Sequence, residues 1–193
     1  MNEEELVPTK TEGYSVGEKK TLNEYNELDA NDESLRKWKE SLGLNKAKEL
    51  APDDDPRKVI VSALVLEVDD REDVSMDVSS SDAVEKLRSS SLIIKEGITY
   101  RLKIRFSIQH DVVSGLKYLH QVKRAGITVD RVEEMLGSYG PSTDMYEKKF
   151  LPEDAPAGLL ARGKYHIKSK FVDDDGVVHL EWNWVMEIKK DWK

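Results

Sequence analysis

Ile98-Thr99-Tyr100-Arg101-Leu102-Lys103-Ile104-Arg105-Phe106-Ser107-Ile108-Gln109 alternates without a break: every even residue is apolar and every odd one polar. Side chains of a β-strand leave on opposite faces with a period of two, so this stretch specifies a long strand, buried on one face and wet on the other. The pattern returns at Val178, Leu180, Trp182, Trp184, Met186 and Ile188, whose alternates are mostly polar: His179, Glu181, Asn183, Glu187 and Lys189. A third such face is Gly163, Tyr165, Ile167, Ser169 and Phe171, opposite Lys164, His166, Lys168 and Lys170. Asp173-Asp174-Asp175-Gly176 between the last two strands reads as a hairpin loop. Further strands are expected at Lys58–Val68, Val74–Val78, Leu92–Lys95, Gly115–Val122 and Ile127–Val129, with a short helix at Asp82–Arg88. About eight strands of one-sided polarity, with no βαβ alternation, predict an all-β fold of two antiparallel sheets packed face to face.

Upstream the period changes. Pro52-Asp53-Asp54-Asp55-Pro56 cannot continue a helix and reads as a linker, dividing an arm, residues 1–56, from a sandwich, residues 57–193. The arm carries two amphipathic helices. One opens at Thr21 with Glu24 three residues on, a capping-box pattern, and places Leu22, Tyr25 and Leu28 on one side. The other opens at Asp32 as N-cap, repeats Leu35, Trp38 and Leu42 on one face, and closes at Gly43 with Leu44 beyond. Helices this short are marginal alone in water. The arm is therefore expected to be partly disordered until its apolar faces rest on the sandwich or on a partner.

The net charge of −8 is concentrated: residues 1–56 carry 15 acids against 8 bases, whereas the rest carries 23 against 22. An acidic arm argues against nucleic acid as partner, because phosphates reward clustered Lys and Arg. It suits a basic or hydroxyl-rich protein surface, or serves only solubility. With no cysteine, disulfides, thiolate chemistry and Cys-ligated zinc are excluded. No apolar run approaches the roughly 18–20 residues that span a bilayer, and the acidic start is unlike a signal peptide, so the expected location is the cytosol, without stable membrane insertion.

Motifs for chemistry are sparse. The three aspartates lack the interleaved spacing of a calcium loop. His166 and His179 fall on polar faces of neighbouring strands, where they are expected to be surface residues or to meet as a pair; neither has metal-ligand spacing. There is no nucleophile motif and no phosphate-cradling loop; Gly137-Ser138-Tyr139-Gly140-Pro141 reads as a plain loop. The expectation is a binding protein without catalytic residues, metal or cofactor. Trp182 and Trp184 share one apolar face, which suits either core packing or the wall of a ligand cavity between the sheets.

Several segments in order resemble the Rho GDP-dissociation inhibitor family. They are Glu27-Leu28-Asp29, Asp32-Glu33-Ser34-Leu35-Arg36-Lys37-Trp38-Lys39-Glu40, Lys95-Glu96-Gly97, Val113-Ser114-Gly115-Leu116-Lys117-Tyr118, the glycine-rich loop, Leu160-Ala161-Arg162-Gly163, the three aspartates, His179-Leu180-Glu181-Trp182-Asn183-Trp184 and Ile188-Lys189-Lys190-Asp191-Trp192. The resemblance implies an immunoglobulin-like sandwich behind a regulatory arm. It also implies a prenylated Rho-family small GTPase as partner, preferably GDP-bound, in a one-to-one complex with an otherwise monomeric chain. The arm would fold on the GTPase and block nucleotide release, while the sandwich buries the geranylgeranyl group and draws the GTPase off membranes. By position, the resemblance assigns Tyr14, Asp32, Leu35, Trp38 and Asp175 to the GTPase. It assigns Leu66, Leu92, Val112, Ile167 and Trp184 to the prenyl pocket, with Leu42 and Leu44 helping to close it. Leu92 stands where the family commonly has phenylalanine, which makes that wall smaller. The alternative is a general prenyl or acyl carrier that leaves nucleotide exchange alone; it would not need the arm.

Overall fold

A computed structural model describes residues 6–9, 32–34, 37, 55–69 and 71–192. Its strands are β1 (Val59–Val68), β2 (Val74–Asp77), β3 (Ser91–Lys95), β4 (Thr99–Ile108), β5 (Val113–Arg124), β6 (Ile127–Tyr139), β7 (Tyr146–Lys149), β8 (Glu153–Asp154), β9 (Gly163–Val172) and β10 (Val178–Lys189). They form two sheets. One has the order β2-β1-β4-β7, with β8 also paired to β4; the other has the order β3-β10-β9-β5-β6.

The alternating stretches behave as their period dictates. On β4, Tyr100, Leu102, Ile104, Phe106 and Ile108 are buried in the shared core. On β10, Trp182, Trp184, Met186 and Ile188 face the same core, as do Tyr165, Ile167 and Phe171 of β9. Aromatic rings bridge the layers: Phe106 lies 6.3 Å from Phe171, which lies 5.5 Å from Tyr118 and 6.2 Å from Trp182. Lys103 is the exception on the polar face, only 6% exposed. Its ammonium meets Asp73 at 2.9 Å and Glu67 at 3.4 Å, and the Asp73 hydrogen bond raises its pKa further, so a buried cation is matched by carboxylates.

Three expectations need correction. The second sheet is mixed, because β3 runs parallel to β10, pairing Leu92 with Met186 and Ile94 with Ile188. The strands exceed the expected eight or so: β7 and β8 lie along the edge of the first sheet, where partial exposure removes the alternation that marks a strand. β6 continues to Tyr139, so Gly137, Ser138 and Tyr139 belong to a strand rather than a loop. It too is an edge strand, mostly solvent-exposed, and edges carry little hydrophobic signal.

The helix α1 (Ser81–Arg88) starts where Ser80 caps it, the hydroxyl accepting the Ala83 N–H at 3.2 Å. Asp82 in the first turn and Lys86 and Arg88 in the last complement its dipole. It packs against β10 and β2, closing the side of the sandwich where β2 and β3 are edge strands. In the arm, Glu33, Ser34 and Lys37 are helical, and Asp32 caps this turn by accepting the Ser34 N–H at 2.8 Å. The expected helix opening at Thr21 lies outside the described residues.

The β5–β6 hairpin turns through Ala125 (φ 49°) and Gly126 (φ 82°), a two-residue loop with both centres left-handed. Alanine carries a Cβ penalty there that asparagine largely avoids. Ala125→Asn is expected to stabilise the fold by about 0.5–1 kcal/mol, read as a higher urea midpoint with unchanged slope.

Candidate functional site

Two sheets lined with large side chains do not fill the space between them. A cavity of about 400 Å³ opens between Tyr100 and Leu102 of β4 on one side and Val122, Ile167, Trp184 and Met186 on the other. That volume falls in the roughly 300–1,000 Å³ range of small-ligand sites, and its wall is chiefly apolar. A second cavity, about 320 Å³, lies under α1 and is lined by Met76, Leu87 and Leu92. Trp184 is a lining residue of both.

That ring is fixed by a polar residue at an inward position. Ser169 is fully buried, and its hydroxyl accepts the Trp184 indole N–H at 3.0 Å while lying 2.9 Å from the Tyr118 hydroxyl. Three polar groups that apolar surroundings would otherwise strand are thereby satisfied together. At the cavity rim Tyr100 donates to Glu153 at 2.7 Å. Arg124 donates to the Tyr165 hydroxyl at 3.1 Å and to the Arg162 carbonyl at 2.8 Å, closing that end with side chains rather than backbone.

Besides Arg124, Asp130, Glu153 and Asp154, the wall carries a histidine. His120 of β5 is buried, and its Nδ1 has no hydrogen-bond partner among the described residues. Burial pushes its pKa down, although the Asp130 and Glu134 carboxylates pull the other way. Neutral imidazole keeps the wall compatible with an apolar ligand.

The structure places the expected residues unevenly. Ile167 and Trp184 line the larger cavity, and Leu92 and Trp184 the smaller. Leu66 is fully buried behind the wall, paired with Leu102 on one side and Val74 on the other. Val112 is half-buried in the turn after β4, where its N–H donates to Asp111 at 2.8 Å, and it lines neither cavity. Asp175 is exposed at the tip of the β9–β10 hairpin, and Asp32 is exposed in the arm. Tyr14, Leu35, Trp38, Leu42 and Leu44 lie outside the described residues.

The hairpin is more ordered than a charged tip requires. Burial raises the Asp173 pKa, but hydrogen bonds from His179 at 2.8 Å and the Val177 N–H at 2.9 Å prevail and hold it low. His179 is thus committed to Asp173. It does not meet His166, which pairs with Val185 further along the strand. The Asp174 carboxylate lies over Gly115, where an added Cβ would come within 1.7 Å of it. Ser169 and Arg124 were not singled out from the sequence, and His120, expected like the other histidines in an ordinary surface or pair role, is buried instead. The parity that puts Tyr118 and Val122 inward also puts His120 inward, and Ser169 interrupts an apolar face; those were the available signals.

The family described as RHO protein GDP dissociation inhibitor matches residues 1–191. The Rho GDP-dissociation inhibitor of Schizosaccharomyces pombe is 46% identical, covering 93% of this chain and 87% of that protein. The Saccharomyces cerevisiae Rho GDP-dissociation inhibitor is 44% identical, covering 92% and 90%. Human Rho GDP-dissociation inhibitor 1 is 41% identical, covering 93% and 87%.

Ser169→Ala leaves the Trp184 N–H and Tyr118 hydroxyl without this partner and is expected to cost roughly 1–3 kcal/mol in urea unfolding. The depressed His120 pKa means the unfolded chain binds more protons as pH falls below the ordinary value of 6.5. Its contribution to stability is complete above that pH and is lost on acidification. The urea midpoint should therefore fall less between about pH 7.5 and about pH 5.5 in His120→Gln than in the unaltered chain.

Proposed function

The chain belongs to the RHO protein GDP dissociation inhibitor family, and from that premise we propose that its sandwich buries the prenyl group of a Rho-family GTPase while its acidic arm holds the G domain and slows GDP release. As a member it is a Rho GDP-dissociation inhibitor, a regulatory binding protein whose partners are Rho-family GTPases. The arm, residues 1–56, and the sandwich, residues 57–193, divide the work in a one-to-one complex. No helix among the described residues is long and apolar enough to cross a membrane, and the place of action proposed is the cytoplasm, with transient visits to membranes.

The observation that carries the lipid half of this reading is the apolar cavity between the sheets, walled by Ile167 and Trp184. Burying a chain of about 20 carbons at about 0.8 kcal/mol per CH₂ gives a gross gain above roughly 10 kcal/mol. A bilayer offers the same chain a similar gain, so lipid transfer is nearly balanced, and contacts of the arm with the G domain bias it. A geranylgeranyl group needs more room than the smaller cavity alone supplies. Trp184 belongs to the lining of both cavities and Leu92 to that of the smaller, so the lipid is proposed to extend from one towards the other, with Leu66 in the packing behind. Asp32 and Asp175 present carboxylates for the G domain, with Tyr14, Leu35 and Trp38 proposed beside them, and Leu42 proposed at the lid of the pocket.

The test is release of a prenylated Rho-type GTPase from liposomes, read by sedimentation. Ile167→Asp puts a charge in the apolar wall and is expected to reduce release at least about tenfold, with circular dichroism confirming the fold. Asp32→Ala is expected to weaken inhibition of GDP release while leaving lipid burial in place. Unchanged behaviour of both variants would reject these assignments.

A further inference from the structure

We infer that the outer face of the β3-β10-β9-β5-β6 sheet is a peptide-docking surface whose occupant is this chain's own N-terminal segment, Leu6–Thr9. That face is otherwise polar, presenting Lys164, His166 and Lys168 from β9. One patch differs. Leu119 follows inward-facing Tyr118 on β5, and Val172 follows inward-facing Phe171 on β9, so both point outward, yet they are only 1% and 2% exposed. Leu6, fully buried, completes an apolar cluster with these two residues, separate from the main core.

The residues after Leu6 are clamped by polar groups from the same face. Arg131 donates to the Val7 carbonyl at 2.9 Å. The N–H and the hydroxyl of Thr9 both donate to one carboxylate oxygen of Glu133, each at 2.9 Å. Lys117 donates to the Thr9 carbonyl at 3.2 Å. Register puts Glu133 opposite Leu119 and Arg131 opposite Gln121, so the apolar seat and the clamps are adjacent on the sheet. Pro8 has no N–H to satisfy and favours the extended backbone that lets its neighbours reach both. The surface thus recognises an extended Leu-Val-Pro-Thr segment through one aliphatic side chain, two carbonyls and a threonine.

The chain is fastened to the sandwich again at Asp55, whose carbonyl accepts from Gln109 at 3.2 Å and also contacts the His110 ring. Both Leu6–Thr9 and Asp55 are thus seated on the sandwich. Lys117 also lies 3.7 Å from Asp174, linking the docked segment to the hairpin that carries Asp175. The role in inhibition rests on the function proposed above; the docking itself does not.

The unaltered chain has no cysteine, so Leu6→Cys introduces a sole thiol. In the free full-length protein that thiol should react with a disulfide reagent at least tenfold more slowly than the thiol of Leu160→Cys, a position that is 88% exposed. Adding Glu133→Ala to Leu6→Cys should bring its rate towards that of the exposed reference. Equal rates for Leu6→Cys and Leu160→Cys would overturn the docking. Slow reaction that depends on protein concentration would instead place the segment on a second copy and overturn the intramolecular closure. Separately, Leu6→Asp should raise severalfold the concentration needed for half-maximal inhibition of GDP release. An unchanged requirement, with the thiol protected in Leu6→Cys, would overturn the role in inhibition and leave the docking standing.

Discussion

The hydroxyl of Ser169 meets the indole of Trp184 and the phenol of Tyr118 in the apolar interior, and the use of that interior depends on this contact. A sandwich core ordinarily packs to crystal-like density. Here the Trp184 indole is held by a hydrogen bond, and two cavities lined in part by this residue remain unfilled. An unfilled apolar volume forgoes dispersion contacts, and a ligand of matching shape restores them. The same three residues thus tie β5, β9 and β10 together beside that volume.

Charge is arranged around this interior. Burial pushes the His120 pKa down where it meets the cavity, which favours the uncharged ring. Tyr100 and Arg124 direct their polar atoms to Glu153, Tyr165 and the Arg162 carbonyl at the rim. On the outer face of the first sheet, Lys103 is enclosed by Asp73 and Glu67. The sandwich is nearly balanced in charge, whereas the arm holds most of the excess acid. On the function proposed above, apolar recognition falls to the sandwich and electrostatic recognition to the arm.

Much of this was legible in the sequence, and the rest was hidden for identifiable reasons. β4, β9 and β10 were readable because one face of each is buried along nearly its whole length, which forces a period of two. β7, β8 and most of β6 were not, because edge strands lack that constraint. The parallel pairing of β3 was invisible, since side-chain alternation does not encode strand direction. Parity alone put Ile167 and Trp184 inside, but a cavity is a shortfall of volume among many side chains, and no single residue announces it. Leu6 had no periodic partners: one leucine in an acidic start reads as noise until Leu119 and Val172 are seen facing outward beneath it.

The parallel register of β3 with β10 also bears on the order in which the protein is made. β10 is the last strand of the chain, yet it lies between β9 and β3 within its sheet. During synthesis β3 emerges long before the neighbour it must pair with, and it has no other strand beside it in that sheet. The sheet that bounds one side of the cavity is therefore completed only after β10 has been made, by contacts of long sequence separation that form slowly. Until then the inward-facing Leu92 and Ile94 of β3 leave the nascent chain with an exposed apolar margin.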